Sequence, residues 1–463
     1  MKIKGKDVKL NIYIIFIVIA SLWGLAMSIL VPVGQTPDEY SHFSFMLEDF
    51  GTNKLFPEDR DEFYVSAGLR EVASEKAGFD TDAYLRDGMK TYSQGLFELP
   101  LHISPGIIKF LPGAIGFHIG VMLRLPMLIC HQLAELAALI YYILICTIAL
   151  KKMPYKKEVM MFVMLMPMAI QQAGSINPDV MVNTSAFLLT AMIFDFKTRE
   201  KKVGWKDIVL VMILSLILLI GKMVYLPILL GFLIVPAERF SLPIGKKFEL
   251  QNFVRKYWVA VVILMLILMA GGLYLTRGNE FVKTLLITMS HPFKFLMLVK
   301  TTLGMLRDFY LQTMVGCFGW LDIYASYTFI VFFMVFMLYV MLFASSGDIE
   351  KQKSFSLKNR LFLILIVLIM FALIMCSMTI WSFKISGYDL GAGLSEYGEY
   401  LKNTSFIQGV QGRYFIPFLP MLLISIGEGN EYKSKKIYRG AQIAFYLISM
   451  IYTLGLIKLR YWG

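Results

Sequence analysis

The chain has 463 residues, of which 57% are hydrophobic and 17% charged, with a mean hydropathy of +0.64. Ordinary globular domains hold about 45–50% apolar and about 25% charged residues, so a soluble fold, a disordered chain and a disulfide scaffold are excluded. The formal charge is +12, but 26 of the 45 Lys and Arg fall in six short segments (2–9, 151–157, 197–206, 236–257, 346–360 and 428–440), which is how cytoplasmic loops of a multi-pass membrane protein are marked, not a nucleic-acid-binding face.

In chain order, a basic N-terminus precedes an apolar run from Ile12 to Val31. Such a run covers about 30 Å of hydrocarbon at about 1.5 Å per residue. It predicts an uncleaved first span over 11–31, N-terminus cytoplasmic. Residues 33–102 then carry 14 Asp and Glu against 6 Lys and Arg, which predicts an acidic external loop over 32–125. Within it, Thr36 and Glu39 have capping-box spacing and Pro37 suits a first helical turn, so a juxtamembrane helix is expected over 37–50. Asp38 and His42, four apart, would share one face. A carboxylate beside an imidazole at a membrane surface suits proton abstraction or metal coordination. Residues 103–124 are apolar but broken by Pro105 and Pro112, which predicts an interfacial or re-entrant helix.

Further spans are expected at 126–150, 157–174, 178–196, 207–221, 222–236, 257–275, 325–345, 359–381, 411–427 and 438–458, making about eleven with the first. Basic segments on both sides of 207–236 require an even number of crossings, hence two short helices meeting near Lys222. The other substantial external segments are 276–324 and 382–410. The whole chain, 1–463, reads as one membrane-embedded, all-α domain.

Charged and polar motifs stand out against this background. Asn177-Pro178-Asp179 reads as a helix start, with Asn177 as cap and Asp179 at the favourable end of the dipole; Asp179 would also lie at the depth of Asp38. Lys222 sits between two apolar runs, where a charge costs about 2.5–3.5 kcal/mol to insert, so it is either a counter-ion or a lysine at a hairpin tip. Within Gly316–Asp322, Trp320 suits stacking on a sugar or an interfacial aromatic belt, and Asp322 could bind hydroxyls. Arg413, beside Tyr414 at an external helix start, runs against the positive-inside trend and the dipole; a phosphate ligand would account for it, as would a snorkelling side chain. Cys130, Cys146, Cys317 and Cys376 lack metal-site spacing and read as buried hydrophobes. His102, His118, His131 and His291 suggest no role.

Pro37 to Phe43, Asn177 to Asp179, Gly319 to Asp322 and Gln411 to Pro417, in that order, resemble the bacterial membrane family called domain of unknown function 2142, over about residues 10–425. That family in turn is similar to GT-C membrane glycosyltransferases, which take a sugar from a polyprenyl-phosphate carrier on the outer face of the plasma membrane. The resemblance implies a GT-C-like external cavity. It implies Asp38 as the catalytic acidic residue of the first external loop, a general base on the acceptor hydroxyl, with Glu39 and His42 read as orienting it. Asp179 would be the second acidic site, with Asn177 beside it, and Arg413 the phosphate ligand, helped by Lys222 and Tyr414. Metal use varies in that class; if a divalent metal is used, Asp38 and Asp179 are its expected ligands. The implied partners are a polyprenyl-phosphate-linked sugar, a cell-surface glycan acceptor and the lipid bilayer. A transporter or flippase of lipid-linked glycans and a scaffold in a glycan-assembly complex are the competing classes.

Overall fold

A computed structural model describes residues 11–49, 104–240, 290–344, 355–386, 403–426 and 435–463, together with residues 2–3, 6–7, 85, 89, 286, 399 and 400. The span expected at 257–275 and most of the acidic segment 50–103 lie outside the described residues.

Helix α1 (Ile12–Leu30) starts on Asn11, whose side chain accepts the Tyr13 N–H, and stops where Val31 turns extended before Pro32. Its inner face (Ile15, Ile19, Trp23, Met27) is buried, while its outer stripe (Ile14, Val18, Leu22, Leu25) is exposed and equally apolar. A helix apolar on both faces in this way belongs in lipid. The chain continues as α2 (Glu39–Asp49), a 3₁₀ segment (Pro105–Phe110) leading into α3 (Leu111–Met122), α4 (Met127–Lys152), α5 (Lys157–Met164), α6 (Pro167–Ala173) and α7 (Asp179–Thr198). Next come α8 (Trp205–Lys222), a 3₁₀ segment over Met223–Ile234, α9 (Pro292–Val315), α10 (Tyr327–Phe343), α11 (Leu357–Ile385), a 3₁₀ segment (Gly412–Phe418) running into α12 (Leu419–Ile426), and α13 (Lys435–Tyr461).

Seven stretches among the described residues are long and apolar enough to cross a membrane: Ile12–Leu30, Pro105–Met122, Met127–Lys152, Asp179–Thr198, Trp205–Ile234, Leu357–Phe383 and Ile437–Tyr461. Tyr327–Phe343 and Gly412–Ile426 are shorter apolar helices. The chain is therefore an all-α, multi-pass membrane protein. Helix α7 is its axis. Ninety-four per cent of its apolar window is buried, against 50% for α1 and α4, so its Asn183, Thr184, Ser185 and Thr190 face protein rather than lipid. Helix α13 is tied to α1 by polar handles: Trp23 Nε1 donates to Thr453 Oγ1 at 3.2 Å and Trp462 Nε1 to the Leu30 carbonyl at 2.8 Å.

Three elements differ from the expectation. The single span over 157–174 is two helices, because Met166 is extended ahead of Pro167, which cannot continue the helical ladder. The 207–236 hairpin does break at Lys222, but its second half is 3₁₀, with Pro227 inside it. In the segment expected to be external, 276–324, the described residues from 290 on form helix α9, closed by a two-stranded hairpin of Cys317–Phe318 with Ile323–Tyr324.

Small residues set the closest approach, as expected where lipid gives no hydrophobic drive between helices. A Cβ on Gly116 of α3 would run into the Leu133 carbonyl of α4 and come within 2.7 Å of the Ala137 side chain. Gly116→Val is expected to lower the thermal unfolding midpoint in detergent, costing about 1–3 kcal/mol from overpacking. Gly455→Ala, with nothing within 4 Å of its Cβ, is expected to be neutral or stabilising by up to about 1 kcal/mol, since alanine is the better helix former.

Candidate functional site

The site is built from chain segments that end together at one end of the bundle. The first is the loop after α1. Gly34 takes a left-handed φ of +80°, which glycine accepts without steric cost, and Gln35 N–H donates to the Pro32 carbonyl at 3.0 Å. The Glu39 carboxylate reaches back over this loop. It accepts the N–H groups of Gly34 (3.0 Å) and Thr36 (3.3 Å), and it also accepts the N–H of Ile176, just before α7, at 2.9 Å. The acid half of the predicted capping box is therefore made. Burial raises the Glu39 carboxyl to about 7, against the lowering effect of those three N–H bonds. Glu39 thus acts by positioning backbone, not at the level of Asp38. The helix begins at Glu39 rather than 37, and Asp38 precedes it with φ +66°. A non-glycine residue held there costs on the order of 1 kcal/mol and persists only where its surroundings fix it.

The second segment is the turn between α6 and α7. Asn177 is not the cap of α7: its side-chain amide donates back to the Gln172 carbonyl at 3.0 Å, and Pro178 stands at the cap. Asn177 therefore ties off the end of α6. Asp179 opens α7, where the dipole favours an anion. Its carboxylate accepts from Gln172 Nε2 at 3.0 Å and forms an ion pair with Lys222. Lys222 stands where α8 gives way to the 3₁₀ segment, with extended backbone, and its Nζ also lies 4.6 Å from the centre of the Tyr414 ring.

The third segment begins at Gly412. Its N–H donates to Thr313 Oγ1 at 2.7 Å, and its backbone approaches the Tyr310 carbonyl of α9 so closely that a Cβ would collide. This approach places Arg413 inside the protein, and its Nη2 donates to Asp38 Oδ2 at 2.9 Å. The two partners are unequal: the Arg413 side chain is 2% exposed and that of Asp38 52%. Arg413 Nε is buried without a hydrogen-bond partner. Tyr414 is fixed by its carbonyl, which accepts from the Tyr225 hydroxyl at 2.7 Å.

His42, one turn into α2, is largely buried and sits within the fields of Asp179, Asp38, Lys222 and Arg413. Burial lowers its pKa to about 4, overcoming the two carboxylates, so the imidazole is neutral at physiological pH. The structure thus brings together Asp38, His42, Asp179, Lys222, Arg413 and Tyr414. Asp322, in contrast, lies on the hairpin after α9 and accepts from Arg460 Nε of α13 at 2.9 Å. Trp320 is at the tip of the same hairpin, beside Tyr461, whose hydroxyl donates to Gln35 Oε1 at 3.2 Å. Gln172, Tyr225 and Gln35 were not singled out from the sequence, because uncharged polar side chains at single positions carry no spacing signal. Neither was Glu135, which pairs with a histidine four residues before it on α4.

Asp38 and Asp179 do not fit a shared metal. Each carboxylate already carries a cationic partner of its own, a guanidinium or an ammonium. The site as arranged offers two carboxylates, two cations and a neutral imidazole.

The depressed His42 pKa has a sign that can be measured. Folding holds the ring neutral, so its contribution to stability is complete above about pH 6.5 and is lost as pH falls towards 4. Thermal unfolding at pH 7.5 and 5.0 is expected to show wild type losing on the order of 1–3 kcal/mol more than His42→Gln over that interval. Equal losses would contradict it.

The family described as predicted membrane protein (DUF2142) matches residues 91–422, most of the 463-residue chain. The match takes in Asn177–Asp179, Lys222, Gly319–Asp322 and Arg413, and begins after Asp38. Neither the curated proteins nor the solved structures contain a match. The chain belongs to the DUF2142 family of multi-pass membrane proteins.

Proposed function

We propose that this protein is a membrane glycosyltransferase of GT-C-like fold that moves a sugar from a polyprenyl-phosphate carrier to a glycan acceptor. The reaction takes place at the outer face of the bacterial plasma membrane, with the N-terminus cytoplasmic. The observation that carries this reading is the uneven ion pair: a wholly buried arginine facing a half-exposed aspartate, beside a second, braced pair of Asp179 and Lys222.

The chemistry follows from that asymmetry. Asp38 reaches solvent and takes the acceptor hydroxyl as general base. The acceptor oxygen bonds to the anomeric carbon, its proton passes to Asp38, and the bond from that carbon to the carrier phosphate breaks. The electron pair leaves with the phosphate and the configuration inverts. As Asp38 is discharged by the proton, Arg413 loses its carboxylate partner at the moment the phosphate gains charge. Its guanidinium, with Lys222 alongside, then stabilises the leaving group without reorganising. Asp179 and Gln172 keep Lys222 in place, and Tyr414 supplies a ring face beside both cations.

The test is transfer by purified protein in lipid, with a panel of polyprenyl-phosphate sugars and an acceptor extract. Asp38→Asn is expected to lower kcat by about 10²–10⁴-fold, the range for loss of a general base. Arg413→Gln is expected to lower it by about 10²–10³-fold, the range for loss of one oxyanion-stabilising donor. Undiminished transfer in Asp38→Asn removes Asp38 from the mechanism. Movement of intact lipid-linked sugar across vesicles, without cleavage, would assign the site to a flippase.

A further inference from the structure

A second ionisable cluster lies beneath the first, and the proposed reaction makes no use of it. Glu39 of α2 and Glu135 of α4 are both buried, and a carboxylate oxygen of each lies within 4.8 Å of the other. His131, one turn before Glu135, is 0% exposed. Its Nδ1 lies 3.4 Å from Glu135 Oε1. Neither of its ring nitrogens has a hydrogen-bond partner, and neither does Glu135 Oε2. One ligand atom from each of the three residues falls within 4.8 Å of the others.

Two buried carboxylates cannot both stay ionised side by side without a cation between them. A shared proton would satisfy the carboxyl pair but would leave the imidazole unpartnered in a dry interior. A divalent cation takes one ligand atom from each of the three side chains, an imidazole nitrogen included, and brings the cluster to neutrality. The donor set, one imidazole nitrogen and two carboxylate oxygens, is that of a borderline transition metal such as zinc or manganese. The outer support for such a site is also in place. Glu39 is oriented by the N–H groups of Gly34, Thr36 and Ile176, and the His131 ring packs on Phe43 with centroids 5.1 Å apart. A carboxylate oriented by hydrogen bonds as Glu39 is recurs in built metal centres.

We propose that Glu39, His131 and Glu135 form a buried divalent-metal site that pins the Asp38-bearing loop to helix α4. The site is separate from Asp38 and Asp179, and its role is to hold the loop. It depends on neither glycosyl transfer nor any substrate.

The experiment is metal analysis of the full-length protein, purified without a polyhistidine tag and without chelator. After growth with zinc and manganese, mass spectrometry is expected to find about one ion per chain. Growth in cobalt is expected to give the visible bands of nitrogen- and oxygen-ligated Co²⁺. Glu135→Gln and His131→Gln, each near its parent in size, should drop the metal to background, while Asp322→Asn keeps it. Chelation of wild type should lower the unfolding midpoint, and added Zn²⁺ should restore it. Metal-free wild type with a midpoint that Zn²⁺ does not move overturns the proposal and leaves a proton shared by the two carboxyls. Metal retained in both ligand variants overturns it equally. None of these readouts involves sugar transfer, so failure here and failure of the enzymatic reading are distinguishable.

Discussion

Charge in a low-dielectric interior has to be paired, and this requirement organises the end of the bundle where Asp38, Asp179, Lys222 and Arg413 meet. A charged side chain alone costs about 2.5–3.5 kcal/mol to place within a membrane-spanning segment, and Arg413 and Asp179 are both buried. Two opposite charges about 4 Å apart recover about 4 kcal/mol at an effective dielectric of 20. Pairing Asp38 with Arg413 and Asp179 with Lys222 gives each buried charge an opposite partner, provided that four distant stretches of chain stop at one level. The helix ends comply: α1 has ended, α7 begins, α8 ends and the Gly412 segment begins there. Gly412 is the point where this constraint reaches the backbone, since only a residue without a Cβ lets the segment approach α9 closely enough to place Arg413 inside.

Glu39 is the joint between the two levels of the site. Its carboxylate holds the loop at Gly34 and Thr36 on one side and the start of the Asp179 segment, through Ile176, on the other. A single side chain thus sets the relative position of the stretches that carry Asp38 and Asp179. Because those bonds are to backbone N–H groups, they specify geometry whatever the neighbouring side chains are. The same carboxyl faces Glu135 and His131, so the state of that cluster bears directly on where Asp38 stands.

Much of this was legible in the sequence, and the reasons are physical. Asp179, Lys222 and Arg413 showed themselves because charge inside or beside an apolar run is costly and therefore rare, and Lys222 marked the break in the 205–234 stretch for the same reason. Thr36 and Glu39 carried a spacing that the structure honours on the acid side. Asp38 and His42 were expected on one helix face by their separation of four. They do share a neighbourhood, but Asp38 lies outside the helix, since a positive φ leaves no mark in a single sequence. His131 and Glu135 stand four apart on α4 in the same way, but a histidine and an acid inside a long apolar run give no sign in the sequence that Glu39 comes to meet them. Asn177 shows that a good capping residue can serve the preceding helix instead of the following one. The break at Met166–Pro167 was written in the proline. The hairpin at 317–324, where Gly319 and Leu321 both take positive φ, was not, because strands this short have no periodicity to read.

The adjacency of Asp38 and Glu39 gives the arrangement its remaining logic. One carboxylate is wholly enclosed and fixed by backbone; its chain neighbour is half exposed and held from one side by Arg413. The left-handed conformation at Asp38 lets consecutive side chains serve these different surroundings. A regular helix running through Asp38 would fix the two side chains about 100° apart around its axis. The strained residue lies between Glu39, anchored to three backbone groups, and the turn at Gly34, so its conformation is over-determined by its neighbours. In the proposed reaction this is what a general base needs: a carboxylate free to meet an acceptor, on a backbone that does not move when its charge changes.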